Sequence, residues 1–169
     1  MKQIIENRYL KAFGFSSVEE ATTFYNNQKV ERSLSIEDGS GDNYYCYVCC
    51  HSLTREKQFV LSFSSDKSED NLNFLFWNSM IVLDTGRNIY LIDENLSIKT
   101  SFEITTSLVG LYLINDERLL LLEEAYMRVI DYRGQILKSE LFDLIDDFSI
   151  KGNVLSLQTN DNNKVIELA

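Results

Sequence analysis

The amino-acid sequence predicts a mainly β fold, an antiparallel meander forming a sandwich or a propeller-like half-barrel, with an N-terminal helix. Three observations carry this. The first is internal repetition. A shift of 38 residues superimposes Leu75 on Leu113, Leu83 on Leu121, Ile92-Asp93 on Ile130-Asp131 and Ile98 on Ile136; a shift of 36 then places Ile114 on Ile150, Leu119 on Leu155, Leu121 on Leu157 and Val129-Ile130 on Val165-Ile166. Self-similarity at a fixed period marks one supersecondary unit used several times, each burying its neighbour's apolar face. The second is the run of short segments with consecutive apolar residues, such as Ile81-Val82-Leu83 and Leu119 to Leu122. Strands of that kind are covered on both faces, which in a meander means sheet stacked on sheet. The third is punctuation: the chain has no proline, so Asn, Asp, Gly and Ser must make its turns.

The elements follow in order. Ser16 or Ser17, followed three residues later by Glu19 or Glu20, is a capping-box pattern. It opens a helix at about 17–27, with Val18, Ala21 and Phe24 on one face. A shorter, earlier helix through Ile4 to Phe13 is the weaker alternative for that segment. Val30 to Ile36 alternates as a strand, and Glu37 to Asn43 is a flexible turn. Tyr44 to His51 and Gln58 to Ser64 form a hairpin, and Ser65 to Asn71 a polar loop. Each repeat then reads as three short strands; in the middle one these are Leu111–Ile114, Leu119–Leu122 and Met127–Asp131, before the Tyr132-Arg133-Gly134 turn and Gln135 to Leu141. The organisation expected is a single domain over 1–169: a helix and strand region (1–43), a hairpin (44–71) and three repeat-like β units (72–169). A closed propeller takes at least four blades. The hairpins between Val30 and Ser64 are the candidate for a degenerate fourth. There is no Gly-His or Trp-Asp blade signature, and Trp77 is the single tryptophan.

Composition restricts function. The formal charge of −10 opposes nucleic-acid binding, which relies on Lys and Arg at phosphates, and opposes docking on anionic lipid. No apolar run reaches membrane-spanning length, and the opening residues hold no secretory leader pattern. Three cysteines make no disulfide framework, so a cytoplasmic protein is expected.

The chemistry search is nearly empty. Cys46-Tyr47-Val48-Cys49-Cys50-His51 lacks the second ligand pair of a zinc site. On a strand it also splits its ligands, Cys46 and Cys50 to one side, Cys49 and His51 to the other. The three cysteines are read as small apolar residues. His51 is the sole histidine, so a Ser-His-Asp or Cys-His mechanism would have to pass through it. The carboxylate pairs Glu69-Asp70, Asp116-Glu117, Glu123-Glu124 and Asp146-Asp147 fall at expected turns, not in the contrasting environments of an acid–base pair. No phosphate-binding glycine loop or calcium loop occurs. No metal, no cofactor and no enzymatic activity are expected.

In size, charge and strand content the chain resembles the small acidic immunity proteins that bacteria encode beside secreted or contact-dependent toxins. That resemblance implies a non-enzymatic module that neutralises a basic, nuclease-type toxin domain by covering its active site or substrate surface. Two other readings stand beside it: a β-repeat adaptor with no toxin partner, and a carbohydrate-binding module, which would want more tryptophan than Trp77. Residues 71–169 carry 15 acidic and 8 basic side chains, so −7 of the −10 lies in the repeats. Glu123, Glu124, Asp143, Asp146 and Asp147, with Tyr126 and Tyr132 close by, are the candidate partner-binding residues. Acidic groups there would speed encounter and aromatics supply affinity.

Overall fold

The computed structural model describes residues 4–5 (backbone only), 8–39, 41–160 and 162–168. Of the opening residues read for a leader, 1–3, 6 and 7 lie outside the described residues, as do Ser40 in the turn after Ile36, Asp161 and Ala169. The chain forms two compact units, Met1–Phe76 with Ile81–Phe102 and Trp77–Met80 with Glu103–Ala169.

The first unit begins with β1 (Ile4–Ile5), β2 (Arg8–Phe15) and α1 (Val18–Asn26), followed by β3 (Ser33–Ile36), β4 (Asn43–His51) and β5 (Lys57–Ser65). These strands form one sheet in the order β1-β2-β4-β5-β3, with β3 parallel to β5 and the other pairs antiparallel. The early helix is therefore corrected: Arg8–Phe15 is strand, paired with β4 from Arg8 opposite His51 to Phe15 opposite Tyr44. Pairing with a central strand overrides the local helix preference. The later helix forms where its cap stands. The Ser17 hydroxyl accepts from Glu20 N–H at 3.3 Å, and Ser16 Oγ donates to the Glu20 carboxylate at 3.1 Å. Ala21 is buried and Phe24 meets the rings of Phe13 and Phe15 (4.6 and 5.1 Å between centroids). Val18, expected on that face, is 55% exposed. β4 has buried residues on both faces. Tyr45, Tyr47 and Cys49 enter one core with Leu61, Phe63, Phe74, Leu83 and Ile92. Val48 and Cys50 enter another with Tyr9 and Val60, while Cys46 Sγ lies 3.7 Å from the Ala21 carbonyl.

The repeats appear as meanders. A four-stranded sheet runs in the order β6 (Phe74–Trp77), β7 (Met80–Asp84), β8 (Asn88–Ile92) and β9 (Ile98–Glu103); a second runs β10 (Leu108–Asn115), β11 (Arg118–Glu123), β12 (Tyr126–Asp131) and β13 (Ile136–Leu141). The third has three strands, β14 (Ile145–Lys151), β15 (Val154–Thr159) and β16 (Asn163–Glu167). The expectation of three strands per repeat is thus met only in the last; β9 and β13 are a fourth, outer strand. The alignment itself holds strand for strand. Leu75 and Leu113 sit in first strands, Leu83 and Leu121 in second, Ile92 and Ile130 in third, Ile98 and Ile136 at the start of the fourth. Leu119, Leu120, Leu121 and Leu122 have no exposed surface. Successive strand residues face opposite ways, so β11 is covered on both sides. In the second unit Leu120, Leu122, Met127 and Val129 share a core with Leu155, Leu157, Ile166 and Leu168.

The repeats also share a turn. Asp93 Oδ1 accepts from the N–H groups of Asn95 and Ser97, both at 2.9 Å. Asp131 Oδ1 accepts from Arg133 at 2.9 Å and Gln135 at 2.8 Å. Each closes the third strand onto the fourth, and each turn contains a residue at positive φ, Leu96 (62°) in one and Gly134 (79°) in the other.

Candidate functional site

Glu123 was expected on a solvated rim, and the structure corrects this: it is 1% exposed. It ends β11, so its side chain inherits the buried face of that strand. Its Oε1 lies 3.0 Å from Arg128 Nη2, and its Oε2 accepts from the N–H groups of Thr105 (2.6 Å) and Thr106 (2.8 Å). Arg128 in turn donates to the Glu103 carbonyl at 2.7 Å and the Thr105 hydroxyl at 3.2 Å. Its guanidinium stacks 4.7 Å above the half-buried Tyr126 ring. This pair fastens the segment 103–106 to the meander. A buried pair whose lone pairs are all met is a fixing device, since removing either partner leaves an uncompensated charge.

The other acidic candidates are exposed, and backbone hydrogen bonds gather several of them. Ile145 N–H donates to the Glu124 carbonyl at 2.9 Å, and Phe142 N–H to the Ala125 carbonyl at 3.1 Å. The β11–β12 turn and the segment 142–145 therefore lie side by side. That places Glu124 and Asp143 at one end of the second unit, with Asp146 and Asp147 following at the start of β14. Leu144 stands among them, 57% exposed. Beside it a surface groove of about 450 Å³ is lined by Leu141, Phe142, Asp143, Thr159, Asn162 and Lys164. Tyr132 does not join this group. It follows β12 at the end opposite Tyr126, six residues away along an extended strand, or about 20 Å.

The groups on which catalysis would depend have structural duties. His51 Nδ1 accepts from Leu53 and Thr54 N–H, both at 3.3 Å, and so holds the β4–β5 turn. The thiols of Cys46 and Cys49 are raised by burial, that of Cys49 to about 11. In the first unit Asp84 is fully buried. It pairs with Lys67 (2.7 Å) and accepts from Asn73 (2.9 Å) and Gly86 N–H (2.8 Å). Asp38 accepts from Tyr90 (2.8 Å), Thr85 (3.0 Å) and Asn88 (3.2 Å). Burial and the Asp38 carboxylate together push the Tyr90 phenol upward. A crevice of about 290 Å³ lies in this unit, lined by Val18, Ala21, Ile36, Tyr44 and Phe63 among others. Sequence reading singled out none of Asp38, Asp84 or Arg128. The signal available for Arg128 was its charge inside a strand that is otherwise apolar.

Among the described residues no helix is long and apolar enough to cross a membrane. No protein-family description matches the chain, and no curated protein matches it. Solved structures do. BamB from Moraxella catarrhalis is similar over 79% of this chain and 48% of its own, with 12% identity and a TM-score of 0.55. The dihydro-heme d1 dehydrogenase NirN in complex with DHE is similar over 75% and 32%, with 12% identity and a TM-score of 0.55. BBS1N in complex with ARL6DN is similar over 75% and 47%, with 7% identity and a TM-score of 0.50. The chain thus spans about half or less of the length of these structures. BamB and BBS1 are β-propeller proteins, and between the two arrangements read from the sequence the likeness selects the propeller type. It also overturns the immunity-protein reading, and nothing among these propeller neighbours supports a basic toxin partner. The fold of this chain is mainly antiparallel β, in meanders of the kind found in β-propellers.

Proposed function

We propose that this chain is a non-enzymatic β-repeat interaction domain that binds a protein partner at the end of the second unit formed by the β11–β12 turn and residues 142–147. The observation that carries the reading is the exposed Leu144 beside the groove, set among the carboxylates of Glu124, Asp143, Asp146 and Asp147. An apolar anchor inside a charged rim is the usual anatomy of an interface: the anchor supplies affinity and the rim supplies encounter rate and register. The occupied state of His51 and of the buried carboxylates supports the absence of catalysis. The fold is compatible with such a role, since BBS1N was solved bound to ARL6DN; fold alone does not assign function.

The test is affinity capture from the source cells followed by quantitative mass spectrometry, comparing the native sequence with Leu144→Asp and with the triple variant Glu124→Lys, Asp143→Lys, Asp146→Lys. A partner on this surface is lost from the Leu144→Asp capture, and its association slows in the triple variant while thermal melting is unchanged, because exposed surface positions tolerate substitution. Rising salt should weaken capture by the native protein. Equal capture by all three proteins would rule this surface out.

A further inference from the structure

The outer strand of the second meander is built for pairing, and its counterpart in the first is not. Among the described residues β13 is the edge of its sheet and pairs with β12 alone, with Tyr126 opposite Leu141, Met127 opposite Glu140, Arg128 opposite Ser139 and Val129 opposite Lys138. Lys138 and Glu140 share the core-facing side of Met127 and Val129. Both are engaged there: Lys138 Nζ donates to the Glu167 carbonyl at 2.7 Å, and Glu140 pairs with Lys164. Ser139 and Leu141 (71% exposed) lie on the other side, and Leu137 (49% exposed) stands at the irregularity where the register against β12 shifts between Val129 and Ile130. The repeat shift of 38 residues places these three on Lys99, Ser101 and Glu103 of β9, all exposed. Proteins commonly keep an edge from pairing by giving it charged side chains. β9 follows that practice, with Lys99 also paired to Asp93 at 2.7 Å. In β13 the same two positions are leucine.

The β13 sequence is also complementary to itself. Laid antiparallel on a copy about an axis through Ser139, Leu137 faces Leu141 of the second copy, Ser139 faces Ser139, and Lys138 faces Glu140. Leucine then meets leucine and charge meets opposite charge, each twice by symmetry. Cross-strand pairs of these kinds stabilise a ladder, whereas like charges directly opposite weaken it. A two-fold axis requires such an isologous patch. We propose that β13 is a self-association edge, pairing antiparallel with β13 of a second copy of this chain in the register centred on Ser139.

The test combines sedimentation velocity with site-directed cross-linking. The native protein should show a concentration-dependent monomer–dimer equilibrium in the sub-millimolar range. Leu137→Glu with Leu141→Glu sets like charges opposite one another and should leave a monomer with unaltered circular dichroism. Ser139→Cys should form an intermolecular disulfide on mild oxidation, because opposed strand residues lie about 4.5–5.5 Å apart at Cα, within disulfide reach. The three native cysteines are buried and do not compete. Ser101→Cys, at the equivalent place in β9, is the control and should cross-link far more slowly. This arm decides the matter even if the double glutamate variant fails to fold. A native protein that stays monomeric, a dimer that survives the double glutamate substitution, or equal cross-linking rates for the two cysteine variants would each overturn the proposal.

Discussion

The β6–β9 and β10–β13 meanders, one shifted by 38 residues from the other, differ more in what their polar groups do than in their backbones. Both close their last hairpin on an aspartate that caps two backbone N–H groups. At the end of the second strand, however, one carries Thr85 where the other carries Glu123, and the third meander carries Thr159. The two threonines share a local job, each hydroxyl accepting from the N–H of the asparagine three residues on, Asn88 at 3.3 Å and Asn162 at 3.2 Å, and Thr85 also donates to Asp38. Glu123 instead reaches across to residues 105–106 and requires Arg128 as counter-charge. A repeat position can thus remain polar and buried while its partner changes from the backbone of a turn to a buried cation.

The comparison can be broken by substitution. Glu123→Ala should cost about 3–5 kcal/mol, because it strands the Arg128 charge in the interior, whereas Thr85→Ala and Thr159→Ala should each cost about 1 kcal/mol. Urea unfolding of the three variants measures the gap, and equal losses would mean that the ion pair has no special role. The turn residues give a smaller contrast. Gly134→Ala should lose roughly 1–2 kcal/mol from the left-handed conformation alone. Leu96 already bears that strain but is buried in the core. Leu96→Gly should therefore lose only about 1 kcal/mol net, the burial of roughly 1.5–3 kcal/mol being offset by strain relief. The mildest effect is on titration. The hydrogen bond from Lys99 and those from backbone N–H groups hold Asp93 below the ordinary carboxylate range. A depressed carboxyl contributes stability that is present above its unfolded pKa and is lost as pH falls through the folded one. Lys99→Leu, which installs the residue found at 137, should raise the Asp93 midpoint in an NMR titration and shift that loss to higher pH. An unmoved midpoint would assign the depression to the backbone alone.

Much of the backbone was legible in the sequence. The period located the first three strands of the second meander but not its outer fourth, and the Ser17 cap, a local signal, placed α1. β2 was misread as a helix in its weaker alternative because its strand character comes from β4, whose paired residues lie 29 to 43 positions away along the chain. Glu123 was misread for a related reason. A Glu-Glu pair at a turn looks solvated, and nothing in its own neighbourhood shows that residues 105 and 106 bring two unpaired N–H groups to one of the two carboxylates. Glu124 and Asp143 lie exposed in connections, whereas Asp146 and Asp147, expected at a turn, lie exposed in β14. Tyr132 was grouped with them by sequence distance, which ignores the length of the strand between.

The placement of the cysteines and the tryptophan has a consequence for watching this protein come apart. All three thiols lie in β4, inside the first unit, and are shielded from reagents. Trp77 belongs to the second unit, where its indole N–H is held by the Asp116 carbonyl at 3.0 Å. Thiol labelling therefore clocks the opening of one unit, and indole emission follows the other, with no residue substituted. If both signals move together along a denaturant series, the two units melt as a single cooperative block; if they separate, each is its own foldon.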